Sequence, residues 1–98
     1  MTLDIKKTAA ETSIAVTGRL DTNTAPILEK AISEDIGDTV HLVLDLQDLK
    51  YISSAGLRVL LGAQKKMQQV GSMILKNVCE SVMDVLEITG FADILVIE

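Results

Sequence analysis

The sequence predicts a mixed α/β domain with a mostly parallel sheet of four to five strands, in the order β-β-α-β-α-β-α-β. Three observations carry that expectation. Apolar residues alternate along Ser13–Leu20, they switch to helical spacing beyond Pro26, and a dense branched run, Val40–Leu46, precedes a second helical stretch.

Leu3 to Thr8 reads as a short alternating strand with Leu3 and Ile5 on one side. Ile14, Val16 and Leu20 share one face of the next strand, and the short connection around Ala10–Thr12 makes the two an antiparallel hairpin. The opening strand is then the antiparallel edge. Thr24 stands where a helix N-cap is expected, and Pro26 follows at a position whose missing N–H costs nothing. Ile27, Leu28, Ala31 and Ile32 continue at helical spacing to about Asp35, and Gly37 stops the run. Val40–Leu46 has the composition of a strand covered on both faces.

A second helix is expected from about Ala55 to Val70, ended by Gly71, with Leu57, Leu60, Leu61, Met67 and Val70 as its buried stripe and Gln64 at the margin. Met73–Val78 is the next strand. Val82, Val85, Leu86 and Ile88 make a third helix, with Ser81 near its start and Gly90 at its C-terminal cap. Ile94–Ile97 is read as a last short strand. Each strand–helix–strand connection should be a right-handed crossover, which makes the later strands parallel.

Composition narrows the function classes. The 98 residues form one domain, 1–98, whose 48% hydrophobic content can support a core without cofactor or disulfide. Aromatic residues are 2%, so stacking platforms for bases or sugars are nearly absent. A net charge of −5 argues against nucleic acid and anionic membrane as partners. The charge is unevenly placed. No acid lies between Asp48 and Glu80, where Lys50, Arg58, Lys65, Lys66 and Lys76 give +5, so the remainder carries −10. Cys79 is the only cysteine and His41 the only histidine, so neither an intrachain disulfide nor a metal cluster is expected. The start lacks a signal peptide's apolar core and no apolar run approaches a membrane span. The expectation is a cytoplasmic protein without membrane insertion, a monomer when free.

In parallel sheets, partners meet the loops at the carboxyl ends of the strands. Two loops share that end here: Asp21-Thr22-Asn23-Thr24, entering the first helix, and Asp48 to Ser54, entering the second. The second delivers Ser53-Ser54-Ala55-Gly56 to a helix start, where either serine can accept a first-turn N–H. Ala55 and Gly56 are small and would leave the cap open. A phosphate on Ser54 would face the positive end of the helix dipole, and Arg58, one turn on, would pair with it. By spacing alone, a plain serine cap is the simpler reading. Arg58, Gly62, Lys65 and Gln69 form one exposed stripe, and a glycine there costs about 1 kcal/mol against alanine. A partner backbone approaching closely would explain it.

Tyr51-Ile52-Ser53-Ser54-Ala55-Gly56-Leu57-Arg58-Val59-Leu60-Leu61-Gly62 resembles the STAS domain of anti-sigma factor antagonists. The likeness extends to Gly18-Arg19-Leu20-Asp21, Leu46-Gln47-Asp48-Leu49 and Thr89-Gly90-Phe91, nearly the whole chain in outline. The resemblance implies a STAS fold and partner switching. The family's phosphorylated serine precedes a small residue and then the glycine, which places it at Ser54. It also implies an anti-sigma factor of GHKL serine-kinase type that binds the unphosphorylated form and releases its sigma factor, and a PP2C-type phosphatase that resets the switch. Asp21 matches a family position at the partner surface, and Thr22, Asn23, Ser53, Ala55, Gly56, Arg58, Gly62 and Lys65 complete the expected contact set. The chain departs from the pattern at Ser53, where switching members carry an acid, and at Arg58, where they often carry glycine. Many members also continue past the position of Glu98 with a further helix.

Two other readings compete. In one, the domain is never phosphorylated and serves as a scaffold subunit of a larger complex, such as a lipid-transport ATPase. In the other, Ser54 is a catalytic nucleophile. That reading lacks the glycine two residues before the serine. It also puts His41 at the far end of the preceding strand, so no base stands beside the hydroxyl. An enzyme is therefore not expected.

Overall fold

The computed structural model describes residues Met1–Glu98. Its elements are β1 (Thr2–Lys7), β2 (Glu11–Leu20), α1 (Ala25–Asp35), β3 (His41–Asp45), β4 (Leu49–Ile52), α2 (Ser54–Val70), β5 (Ser72–Lys76) and α3 (Glu80–Ile88), followed by a 3₁₀ turn at Phe91–Asp93. The sheet runs β1-β2-β3-β5, with β4 also pairing with β2. Only β1–β2 is antiparallel, in a register that sets Leu3 opposite Val16 and Ile5 opposite Ile14. The pairings of β2 with β3, β3 with β5 and β2 with β4 are parallel.

β2 is the central strand because it is long enough to serve three partners. Residues 11–15 pair with β3, and Gly18–Leu20 pair with β4. The register shifts between Gly18 and Arg19, where Gly18 takes φ +103°, a conformation that an L side chain resists. This bulge re-aims the end of the strand toward β4.

The crossovers β2–α1–β3 and β4–α2–β5 step the same way across the sheet, so right-handedness puts both helices on one face. Side-chain burial follows. Leu42, Leu44 and Leu46 are fully covered, whereas Val43 and Asp45 are half-buried and His41 is exposed. The β3 run is therefore covered on one face, not both. The core is one cluster of 22 residues, joining Ile14, Val16 and Leu75 to Leu28, Leu60, Met67 and Leu86. Each such side chain, fully buried, stabilises the fold by about 1.5–3 kcal/mol. Thr12 and Thr39, buried together at one end of the core, satisfy each other hydroxyl to hydroxyl.

The segment after Asp48, expected as an unbroken loop, contains β4. Its burial runs buried, exposed, exposed, buried, so it shows no alternation by which a strand is recognised. The expected last strand is a single parallel bridge, Leu75 to Ile97, held by Leu75 N–H to Val96 O and Glu98 N–H to Leu75 O, both at 2.9 Å. The N–H groups of Ile94 and Leu95 donate to Phe91 O instead, closing the 3₁₀ turn rather than extending the bridge. α3 begins one residue before Ser81, with Cys79 at its cap position. On α2, Gln64 is buried rather than marginal, while Val70, expected in the stripe, is 56% exposed. No helix is long and apolar enough to cross a membrane.

Candidate functional site

The carboxyl ends of β2 and β4 lie side by side, with Arg19 opposite Tyr51 and Leu20 opposite Ile52. The Ser53 N–H extends this ladder by donating to Leu20 O at 2.8 Å. The two predicted loops therefore leave neighbouring strands, and Asp21 and the paired serines share one end of the sheet.

Each loop is set by local hydrogen bonds. After β2, Asp21 accepts the N–H groups of Asn23 and Thr24 on Oδ1, both at 3.0 Å. The Asp21 N–H donates to Thr24 Oγ1, and the Thr24 hydroxyl donates to Arg19 O, both at 2.8 Å. Thr24 occupies the N-cap position of α1 but makes no side-chain cap bond; its hydroxyl is spent closing the loop. These donors hold the Asp21 carboxyl below the usual range, the Thr24 N–H first; desolvation opposes, while the Asn23 N–H, the Thr24 hydroxyl and Arg19 assist. Thr22 and Asn23 are exposed beyond it.

After β4, Ser53 is the N-cap of α2. Its φ of −96° and ψ of 175° are extended, its Oγ accepts the Gly56 N–H at 3.3 Å, and its carbonyl accepts the Leu57 N–H at 2.9 Å. The capping role open to either serine thus falls to Ser53. Ser54 is the first helical residue, exposed, with its hydroxyl outside the cap. Arg58, one turn further, is exposed and makes no salt bridge; the chain's one ion pair is Arg19 Nε to Asp21 Oδ2 at 4.0 Å.

Gly56 departs from the expectation of an open cap. It is buried, and an added Cβ would come within 2.7 Å of Leu20 Cγ and 2.9 Å of Ile52 Cγ1. Glycine here lets the first turn of α2 seat against both strands, so its part in the motif is packing rather than partner contact. Ala55 is half-buried beside it. Gly62 and Lys65 are exposed two turns down, away from the strand ends but on the same helix.

Sequence reasoning passed over one pair. Arg19 stacks on Tyr51, its Cζ 4.1 Å from the ring centroid, and Tyr51 stays 41% exposed beside the serines. Tyr51 is one of two rings in the chain, and an exposed tyrosine beside an arginine is the composition of an interface anchor. Its scarcity was the available signal. Cys79, at the cap position of α3, places its Sγ 3.1 Å from Leu49 O and 3.3 Å from Ser81 Oγ. The Ser81 hydroxyl, ahead of the Val82 N–H and Lys50, draws its thiol pKa down. No group of three or more His, Cys, Asp or Glu stands together as a metal site.

The STAS domain family matches residues 2–98. The anti-sigma-B factor antagonist of Bacillus subtilis strain 168 is 30% identical over 94 residues, 95% of this chain and 86% of that protein. The anti-sigma factor antagonist SpoIIAA superposes in its unphosphorylated form with a TM-score of 0.84 at 20% identity, covering 99% of this chain and 88% of that one. The phosphorylated form of SpoIIAA, from Bacillus, superposes with a TM-score of 0.77 at 21% identity, covering 99% and 91%.

Proposed function

This chain belongs to the STAS domain family, and from that premise we propose that it is an anti-sigma factor antagonist switched by phosphate on Ser54. The observation that carries the reading is the division of labour between adjacent serines: Ser53 caps α2, and Ser54 stands exposed with a hydroxyl the fold does not use.

A serine-kinase anti-sigma factor, of GHKL type, docks on the strand ends and transfers the γ-phosphoryl group of ATP. The Ser54 Oγ–P bond forms, the bond to the β-phosphate oxygen breaks, ADP leaves and the hydroxyl proton passes to a base of the kinase. The product gains about −1.5 to −2 charges and three acceptor oxygens. The Gly56 and Leu57 N–H groups are already satisfied by Ser53, so the phosphate meets the remaining first-turn donors, the helix dipole and the unpaired Arg58. It is thereby held on the surface without disturbing the core, and a dianion now stands where the partner docked. Hydrolysis by a PP2C-type phosphatase restores the hydroxyl.

Asp21, Thr22 and Asn23 form the neighbouring wall of the docking face, rigid because Asp21 is committed to its own loop. Tyr51 and Arg19 add an aromatic anchor. The test is incubation with ATP and the anti-sigma kinase of the same genome, followed by phosphosite mapping. A single phosphate on Ser54 supports the reading; a phosphate on Ser53, or none, contradicts it.

A further inference from the structure

α1 and α2 lie side by side over the sheet but do not close on each other along their outer edges. Between them runs an open groove of about 230 Å³ lined by Glu29, Ile32 and Ser33 from α1 and by Val59, Gly62, Ala63 and Lys66 from α2. Small-molecule sites run to roughly 300–1,000 Å³. This space fits a protruding side chain better than a metabolite.

Gly62 is what keeps the groove open. An added Cβ there meets nothing within 4 Å, and Gly62 is not among the glycines with positive φ. Neither crowding nor backbone geometry requires glycine, yet it costs about 1 kcal/mol in an exposed helix. The groove is also flanked by charge that the fold leaves unneutralised. α2 exposes Arg58, Lys65 and Lys66, no acid lies between Asp48 and Glu80, and Glu29 across the groove forms no ion pair with Lys66. Such a ridge complements an acidic surface.

We propose that this groove receives an aliphatic side chain from an acidic surface of the same anti-sigma partner, a second contact that rests on the reading above. Gly62 lies eight residues along α2 from Ser54, about 12 Å at helical rise. One partner covering roughly 800 Å² spans both. That separation exceeds the screening length of about 8 Å at physiological salt. The phosphate therefore leaves the groove contact itself little changed, and the helix tip decides whether the partner docks.

The experiment titrates the serine-kinase anti-sigma factor into the wild-type chain and into Gly62→Gln, Lys66→Glu and Glu29→Lys, with Ser54 phosphorylation and the melting temperature followed for each. Gly62→Gln fills the groove and should weaken binding roughly tenfold without lowering the melting temperature. Lys66→Glu should weaken binding, more so at low salt, and Glu29→Lys should strengthen it. Wild-type binding with unchanged affinity for Gly62→Gln overturns this inference alone. No binding and no phosphorylation of the wild type overturns the antagonist reading with it. If Glu29→Lys weakens association as Lys66→Glu does, and sedimentation shows a concentration-dependent dimer, the occupant is a second copy and the acidic partner is wrong.

Discussion

Ser53 Oγ accepts the Gly56 N–H at 3.3 Å, and that bond separates two serines that are equivalent by spacing as helix caps. One hydroxyl belongs to the helix; the next is left to solvent. Ser53→Ala should therefore cost about 1 kcal/mol of stability, the usual loss of a cap. Ser54→Ala should stay within about 0.5 kcal/mol of wild type, as surface changes do. Urea denaturation of the two variants checks this, and equal losses would contradict the assignment of roles.

Gly56 is tied to the same turn from the inside. A methyl group at this position meets the branch point of Leu20 and the side chain of Ile52. Gly56→Ala should destabilise the domain by about 1–3 kcal/mol, the cost of overpacking, even though alanine is the better helix former. Gly62→Ala, with nothing in its way, should stabilise by up to about 1 kcal/mol. Denaturant midpoints of the pair carry opposite signs if the packing is as described, and the same sign if it is not.

The Asp21 loop predicts a pH dependence. The Thr24 N–H, chiefly, holds the folded carboxyl below its ordinary value. A depressed folded pKa contributes stability that is full above the unfolded value of about 3.9 and is lost as pH falls through the folded value. Asp21→Ala should lower the denaturation midpoint at neutral pH, and the gap to wild type should narrow from about pH 4 downward. A gap that persists unchanged in strong acid would place the effect elsewhere.

Much of this architecture is legible in the chain because apolar period reports burial directly. Ile14, Val16 and Leu20 announce the central strand, and Leu57, Leu60 and Met67 the helix above it. The elements that escaped are those whose pattern is set by neighbours. β4 is four residues long and exists because the Gly18 bulge turns β2 toward it. The openness of the second sheet face depends on both crossovers turning the same way, which Val43 alone cannot reveal. At the site, the Ser-Ser-Ala-Gly run marks the helix start, yet only geometry divides cap from free hydroxyl. Gly56, whose small size the sequence suggests is there to leave the cap open, is explained by two side chains, Leu20 of β2 and Ile52 of β4. The Arg19–Tyr51 stack joins residues 32 positions apart and has no local signature.

Calorimetry with the serine-kinase anti-sigma factor reads whether a charge on Ser54 governs docking of the partner. Wild type and Ser54→Ala should bind with equal affinity, and Ser54→Asp should lose at least about tenfold, or 1.4 kcal/mol. Equal affinity for wild type and Ser54→Asp, with both folded, would contradict it.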